Sequence, residues 1–202
     1  MGTSKIIKSK ERVRDLAEVF TSEKEVRSML DLVRYLSENV QNTFLEPACG
    51  NGNFLSEILK RKLETIKSKY RKQVDIEFYI ILAVSSIYGI DISEENVLEA
   101  RERMLYAVKD FYSNNFNTKK PTEYFFDSIK WVLEHNIIQG DMLNKIDEVV
   151  LVEYTTPKKY YFKRQEFGLA GEQKNKKKAG TLFDTRQPLQ SFRICNYQRL
   201  CS

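Results

Sequence analysis

Apolar side chains recur every three or four positions over residues 5–39, first at 13, 16 and 19 and then at 26, 29, 30, 33 and 36. This spacing predicts two amphipathic helical pieces. Thr21 or Ser22 lies between them and can cap the second piece, with Glu23 or Glu25 close enough to help in its first turn. The pattern therefore predicts a helical lead-in over residues 1–40.

Short apolar runs alternate with amphipathic stretches over residues 41–157. The runs that predict strands are 43–46, 87–91 and 136–141, with the β-branched run 148–154 as a fourth candidate. The stretches that predict helices are 54–70, 93–112 and 123–134, whereas 78–86 fits a helix or a strand. Strands separated by helices pair in parallel through right-handed crossovers. This order predicts an α/β fold with a doubly wound, mostly parallel sheet.

Composition narrows the class of protein. The 202 residues, 42% of them hydrophobic, suit one domain with a real core. No apolar run approaches the roughly 18 residues of a membrane span, and residues 1–10 are basic and polar, unlike a secretory signal. We therefore expect a cytoplasmic protein with no membrane partner. Three cysteines without a Cys-x-x-Cys pair argue against a disulfide framework and against a metal site.

Charge adds a weaker signal. The formal net charge of +5 permits a polyanionic partner without requiring one. Residues 158–202 form a third, basic segment, in which 170–180 is predicted to be a mobile loop. Lysines and aromatic residues interleave there, which fits phosphate contacts with base stacking as well as an ordinary solvated surface.

Three distinctive turns follow the three predicted strands, where ligands bind in doubly wound sheets. The first, EPACGNGN at residues 46–53, has two glycines that let the backbone approach a ligand, followed by a helix N-terminus whose amides can face a carboxylate or phosphate. A turn that serves only tight packing is the alternative for this segment.

The other two turns each contribute an acid. Asp91 can accept the hydroxyls of a ribose, and Asp141 can accept an exocyclic amine of adenine while Met142 and Ile92 flank the ring. Each acid could equally cap the element that follows it. The insertion at residues 69–83 stretches the spacing to Asp91, so a dinucleotide fingerprint fits poorly. Together, the three turns predict a ligand that has an adenine, a ribose and a small zwitterionic end.

These strings resemble the motifs of one family. Residues 43–55, TFLEPACGNGNFL, resemble the first motif of S-adenosylmethionine-dependent, adenine-specific DNA methyltransferases of restriction-modification systems, the N-6 DNA methylase family. Residues 18–23, EVFTSE, are similar to the family's Phe-Thr-Pro lead-in, with Ser22 in place of proline. Residues 90–92 and 139–143 resemble its second and third motifs. The resemblance spans residues 13–143.

The resemblance implies a Rossmann-like methyltransferase fold over residues 41–157, with S-adenosylmethionine as cofactor and DNA as partner. By it, Thr21 and the backbone of residues 48–50 hold the methionine end, and Glu46 holds its ammonium. Asp91 holds the ribose, and Asp141 with Met142 holds the adenine. The full set of cofactor residues it implies is Phe20, Thr21, Glu46, Pro47, Ala48, Cys49, Gly50, Gly52, Asp91, Ile92, Asp141 and Met142.

The family's catalytic motif is missing. It reads Asn or Asp, then Pro-Pro, then Tyr or Phe, on the loop after the fourth strand, and this chain has no Pro-Pro. The corresponding residues 154–162 read YTTPKKYYF, where Tyr154 or Tyr160 could stack on a flipped base but none supplies the amide acceptor. Only 45 residues follow Pro157, so we expect a sheet that is incomplete at the C-terminus.

Two functions follow from this absence. The first is a DNA adenine methyltransferase that transfers a methyl group to the amino group of adenine, either alone or as a split enzyme whose second chain brings the catalytic loop or target recognition. The second is a non-catalytic cofactor-binding or assembly subunit. The sequence leaves both open.

Overall fold

A computed structural model describes residues 21–116, 120–170 and 188–200. Phe20, the first predicted helical piece and the lysine-rich part of the basic loop lie outside these ranges. The second helical piece is present and divides into α1 (Glu23–Asp31) and α2 (Arg34–Ser37). Ser22 caps α1 in a capping box: the Ser22 hydroxyl accepts from the Glu25 amide, and the Glu25 carboxylate accepts from the Ser22 amide at 2.9 Å.

Three short strands form a parallel sheet in the order β1-β2-β3. They are β1 (Phe44–Glu46), β2 (Ile87–Asp91) and β3 (Ile137–Gln139). Four helices connect them, namely α3 (Asn53–Lys69), α4 (Gln73–Ser85), α5 (Glu94–Phe116) and α6 (Phe125–Asn136). The predicted α/β class is confirmed, with parallel strands separated by helices.

Helix α4 resolves the ambiguous stretch 78–86. Its residues 76–78 and 80–85 are buried, so apolar side chains occur all around the helix instead of on one stripe. The lack of a stripe explains why periodicity alone could not separate a helix from a strand there.

The fourth strand candidate does not join the parallel sheet, contrary to the sequence-based prediction. Strand β4 (Val150–Lys158) pairs antiparallel with β5 (Tyr161–Gly168). The short strands β6 (Gln190–Ser191) and β7 (Cys195–Asn196) extend this second sheet along β5. The prediction failed because β4 and β5 are joined by only two residues, and antiparallel strands can be joined by so short a turn whereas parallel strands cannot.

The two sheets pack against each other through one face of β2. Tyr88 and Ile90 share an apolar cluster with residues of the antiparallel sheet and its flanks, including Leu151 and Phe167. The buried Tyr88 hydroxyl donates to the Val152 carbonyl oxygen at 2.8 Å, which satisfies its polar atom. Ile87, on the opposite face, packs into the larger helical core. The antiparallel sheet therefore covers one face of β2 and helices cover the other. This differs from the predicted doubly wound sheet, which has helices on both faces, because the strand order β1-β2-β3 runs in one direction and right-handed crossovers then place the connecting helices on the same face.

A buried carboxylate fastens the C-terminal turn to the helices. Glu77 of α4 accepts from the hydroxyls of Tyr112 at 2.9 Å and Tyr197 at 3.2 Å, and from the Thr122 amide at 3.0 Å. Leu200 is fully buried in the same core. The boundary expected after residue 157 thus falls at the tip of the β4–β5 hairpin, and the chain beyond it contributes to the main core.

Candidate functional site: the carboxyl ends of the parallel strands

The glycine turn between β1 and α3 adopts a left-handed backbone at two positions. Gly50 has φ 51° and Gly52 has φ 81°, conformations that glycine adopts at little cost. A Cβ added at Gly52 would lie 2.8 Å from Cβ of Ala100 on α5. The turn therefore requires glycine for its backbone conformation and for its close approach to α5.

Asp91 at the end of β2 holds this turn in place. Its Oδ2 accepts from the Gly50 amide at 2.8 Å, and its Oδ1 accepts from the Ser93 amide at 2.9 Å and from Asn96 Nδ2 at 3.2 Å. The Cys49 amide donates to the Ile90 carbonyl oxygen at 2.9 Å. Two motifs that lie about forty residues apart in the chain are thus joined at one point.

The third turn joins the same edge through its backbone. The Gly140 amide donates to the Asp91 carbonyl oxygen at 2.9 Å, and Gln139 Nε2 donates to the Ile92 carbonyl oxygen at 3.0 Å. The carboxyl ends of all three parallel strands therefore meet at one edge of the sheet, where the three predicted ligand-binding turns follow the strands.

Asp141 serves its own turn. Its Oδ2 accepts from Asn144 Nδ2 at 2.8 Å, and its Oδ1 accepts from the amides of Leu143 and Asn144 at 3.0 Å. The side-chain bond from Asn144, followed by its backbone bond, lowers the pKa of Asp141. Asp141 therefore caps its own turn, which was the alternative to ligand binding. Only the lone pairs that these bonds leave unused on the carboxylate are available to a ligand.

Glu46 is a half-buried carboxylate beside the glycine turn. Burial raises its pKa, and a bond from the Ala48 amide acts in the opposite direction. Among the residues that the structure describes, Glu46 takes part in no ion pair. A partly desolvated carboxylate of this kind is well suited to bind an ammonium group from outside the chain.

Cys49 fills the space beneath the turn. It is buried, and burial together with the nearby carboxylates of Asp91 and Glu46 raises the pKa of its thiol to about 12. A thiol with so high a pKa is not an effective nucleophile at neutral pH. Its sulfur would lie 3.0 Å from a Cβ added at Gly89, so Cys49 packs directly on β2.

The lead-in reaches this edge through Thr21. Asn53 Nδ2, in the first turn of α3, donates to the Thr21 carbonyl oxygen at 3.2 Å. Farther along α3, Arg61 Nη2 donates to Asp31 Oδ1 at 2.8 Å and to the Arg27 carbonyl oxygen at 3.0 Å, which fixes α1 against α3. Thr21 thus lies at the glycine-turn end of α3.

The remaining predicted cofactor residues line the same turns. Pro47 and Ala48 are exposed on the glycine turn. Ile92 is 56% exposed, and Met142 packs against the apolar cluster that contains Tyr88 and Ile90. Ile92 is therefore an apolar side chain still open to a flat ring.

The two candidate catalytic tyrosines lie in packed positions, because residues 154–162 form a hairpin instead of a loop. Tyr154, within β4, packs its ring nearly perpendicular to the ring of Trp131 of α6, and burial raises the pKa of Tyr154. Tyr160 packs its ring against Phe78, and its hydroxyl donates to Asp75 Oδ1 at 2.8 Å. These contacts are made with α4 and α6, not with the glycine turn, so the structure does not support a base-stacking role for either ring.

Sequence reasoning missed three residues of the site. Asn96 supports Asp91, Asn53 holds the lead-in, and Gly89 leaves room for Cys49. The signal for Asn96 was an amide on the inward face at the start of an amphipathic helix. The other two contacts depend on packing between distant segments, which a local pattern does not show.

A groove of about 670 Å³ lies elsewhere, between α3 and α5. Its walls carry charges of both signs, such as Lys60, Glu64 and Asp110, and include none of the predicted cofactor residues. The described residues contain no group of three or more His, Cys, Asp or Glu side chains that could hold a metal ion. No helix within the described ranges is long and apolar enough to span a membrane.

In comparisons with known proteins, no family model, no curated protein and no solved structure matches the chain.

Proposed function

We propose that the chain binds S-adenosylmethionine at the carboxyl ends of β1, β2 and β3, within a Rossmann-like methyltransferase fold, and acts as a DNA adenine methyltransferase of the restriction-modification type. The observation that carries the proposal is the 2.8 Å bond between the Gly50 amide and Asp91. It joins a left-handed glycine turn, a helix N-terminus and a strand-end acid at one place, which suits a ligand with a ribose and a zwitterionic end.

Each predicted contact has a group to make it. Glu46 binds the ammonium of the methionine end, because it is half-buried and has no cationic partner among the described residues. The amides at the start of α3 face the ligand carboxylate. Asp91 already accepts three hydrogen bonds, and since a carboxylate has about four lone-pair sites, one site is left for a ribose hydroxyl.

The bound cofactor supplies an activated methyl group. The chain contributes by position: Glu46 fixes the methionine end of the ligand, Asp91 fixes its ribose, and Ile92 with Met142 cover its adenine. Transfer to a flipped adenine is accelerated when the two reactants are held in line and water is excluded.

A second candidate function is a cofactor-binding subunit without catalysis of its own. It is favoured by the hairpin of residues 154–162, which has Tyr154 and Tyr160 packed inward, and by the absence of Pro-Pro from the sequence. In this case a second protein chain supplies the amide acceptor for the target amino group.

Calorimetric titration with S-adenosylmethionine and with adenosine tests the cofactor site. Glu46→Gln removes the charge that binds the ammonium but keeps the side-chain size. We expect S-adenosylmethionine to bind at least tenfold more weakly to this variant, since a hydrogen bond to a charged group contributes about 1.5–3 kcal/mol. Adenosine, which lacks the ammonium, should bind both proteins equally.

The matched control is Glu102→Gln, on the exposed side of α5. It should bind both ligands as the unaltered protein does. Absence of S-adenosylmethionine binding to the unaltered protein would contradict the proposal, and so would equal affinities of the two variants. Asp91→Ala is the less informative variant, because it also removes three bonds that hold the turn.

Transfer of a labelled methyl group from S-adenosylmethionine to duplex DNA separates the two functions. Label in the DNA with the purified chain alone supports the enzyme. Cofactor binding without transfer supports the non-catalytic subunit.

A further inference from the structure

Two basic segments that are distant in the sequence meet on one surface. The tip of the β4–β5 hairpin contacts the start of α4: Lys159 Nζ lies 2.7 Å from Asp75 Oδ1, and the Tyr160 hydroxyl donates to the same atom at 2.8 Å. This contact brings the hairpin tip beside the α3–α4 turn. We call the basic residues of these two segments the basal basic surface; they are Lys69, Arg71, Lys72, Lys158 and Lys159.

The acid at this contact is already neutralised. Hydrogen bonds from Lys159 and Tyr160 lower the pKa of Asp75, so its negative charge is matched by Lys159. Among the residues that the structure describes, Lys69, Arg71, Lys72 and Lys158 take part in no ion pair. They are all exposed, so the surface has an excess of positive charge that is open to a polyanion.

The backbone beneath these charges is fixed. Arg71 Nη1 donates to the carbonyl oxygens of Lys67 at 2.6 Å, Tyr70 at 3.0 Å and Ser68 at 3.2 Å, which caps the C-terminus of α3. Gln73 Nε2 donates to the Lys120 carbonyl oxygen at 2.7 Å and ties the turn to the loop before α6. The lysine side chains therefore extend from an ordered platform.

The aromatic rings near this surface already have protein partners. Tyr70 stacks on Tyr79 with ring centroids 3.9 Å apart, and Tyr160 packs on Phe78 with centroids 5.4 Å apart. Lys158 lies over the ring of Tyr161 at 5.4 Å. Proteins that bind single strands use open aromatic rings on which bases stack. Charge without open rings favours contact with the phosphates of a duplex.

We infer that the basal basic surface binds the phosphate backbone of duplex DNA. The surface is separate from the cofactor edge, because the 17 residues of α3 span about 25 Å between the glycine turn and Lys69. The choice of DNA as the polyanion rests on the proposed function. The arrangement of charges is observed in the structure and is independent of that proposal.

Fluorescence anisotropy with a labelled DNA duplex and no cofactor tests the inference. The variant Lys69→Gln/Lys72→Gln/Lys158→Gln removes three charges from the surface and leaves Arg71 to cap α3. We expect at least tenfold weaker binding at moderate salt, and a salt dependence reduced by about 2–3 in the slope of log K against log salt concentration.

The matched control is Lys24→Gln/Lys60→Gln/Lys109→Gln, which removes the same charge from exposed positions on α1, α3 and α5. It should bind the duplex within about twofold of the unaltered protein, since only phosphate contacts change the slope. Circular dichroism and thermal unfolding of both variants show whether they are folded.

Three results would overturn the inference. They are equal losses in the two triple variants, unchanged binding in the surface variant, and tighter binding to single-stranded DNA, RNA or anionic vesicles than to the duplex. Titration of the surface variant with S-adenosylmethionine keeps the two proposals apart, because its cofactor affinity should stay unchanged whether or not DNA binding is lost.

Discussion

The two ends of the parallel sheet handle charge in opposite ways. At the amino ends of β1 and β2, Lys62 is fully buried, and its ammonium donates to the Val40 and Asn42 carbonyl oxygens and to the Ser86 hydroxyl. At the carboxyl ends, Glu46 is half-buried and has no ion-pair partner among the described residues. The chain supplies a hydrogen-bond acceptor for every donor of the Lys62 ammonium, but it supplies no cation for the Glu46 carboxylate among the described residues.

This difference separates a structural charge from a binding charge. The three donors of Lys62 meet three acceptors, so nothing is left for a ligand. Burial without a carboxylate partner lowers its pKa to about 7. Glu46 is only half-buried, but its carboxylate has one local amide as compensation, and an ammonium ligand would relieve the remaining cost of its burial.

The largest effect is expected at the carboxyl end. Gly52→Ala places a side chain in a left-handed position and 2.8 Å from Ala100 Cβ. Strain and overpacking together should lower the free energy of unfolding by about 3 kcal/mol. Urea unfolding measures this, with Gly168→Ala as the control, because a Cβ there would meet Leu189 at an ordinary 3.8 Å. Equal losses in the two variants would show that the turn is not constrained by its approach to α5.

The second effect concerns pH at the amino end. The pKa of Lys62 is about 7 in the folded chain and near its ordinary 10.5 in the unfolded chain. Between these values the unfolded chain binds the extra proton, so stability rises with pH by about 1.4 kcal/mol per unit, and below about pH 7 the gain is absent. Between pH 7.5 and 9.5, the free energy of unfolding of Lys62→Met should rise by about 2.7 kcal/mol less than that of the unaltered protein.

Denaturant unfolding at both pH values measures this slope. The contributions of the other titrating groups are the same in the unaltered protein and in Lys62→Met, so they cancel in the difference. Lys60→Met, on the exposed side of the same helix, should keep the full slope. If Lys62→Met keeps it as well, Lys62 does not have the lowered pKa that its burial indicates.

The smallest effect concerns the N-cap of α1, which begins beside the carboxyl ends of the parallel strands. Ser22→Ala removes the capping box of α1, and a lost N-cap costs about 1 kcal/mol of stability. Ser28→Ala, in the middle of α1, removes only a hydroxyl bond to its own helix and should change stability little. Thermal unfolding compares them, and a larger loss in Ser28→Ala would count against capping as the means by which α1 begins.

Local signals in the sequence were sufficient for the elements of the parallel sheet. The glycine turn, the acid at the end of β2 and the polar cap of α1 are each specified within a few residues, and they lie where the pattern predicts them. Their assignment to a cofactor stays a prediction.

Tertiary pairing determined the parts that the sequence did not reveal. Residues 161–168 mix charges with aromatics, yet they form β5 because β4 and the two short C-terminal strands pair with them. Phe162 and Arg164 are buried there, an arrangement that depends on partners distant in the chain. The resemblance predicts a loop for Tyr154 and Tyr160, because the family's catalytic motif lies on a loop. The pairing of β4 with β5, which a local pattern does not show, places them in a hairpin instead.

The carboxylate of Glu77 has a consequence for how the molecule opens. It accepts from Tyr112 of α5, from Thr122 before α6 and from Tyr197 near the C-terminus, so none of these segments can separate without leaving a buried acceptor short of a donor. Local fraying of the C-terminal turn is therefore coupled to loosening of the helical core. Amide protons around Tyr197 should exchange with solvent at rates close to those of α4, as members of one cooperative unit.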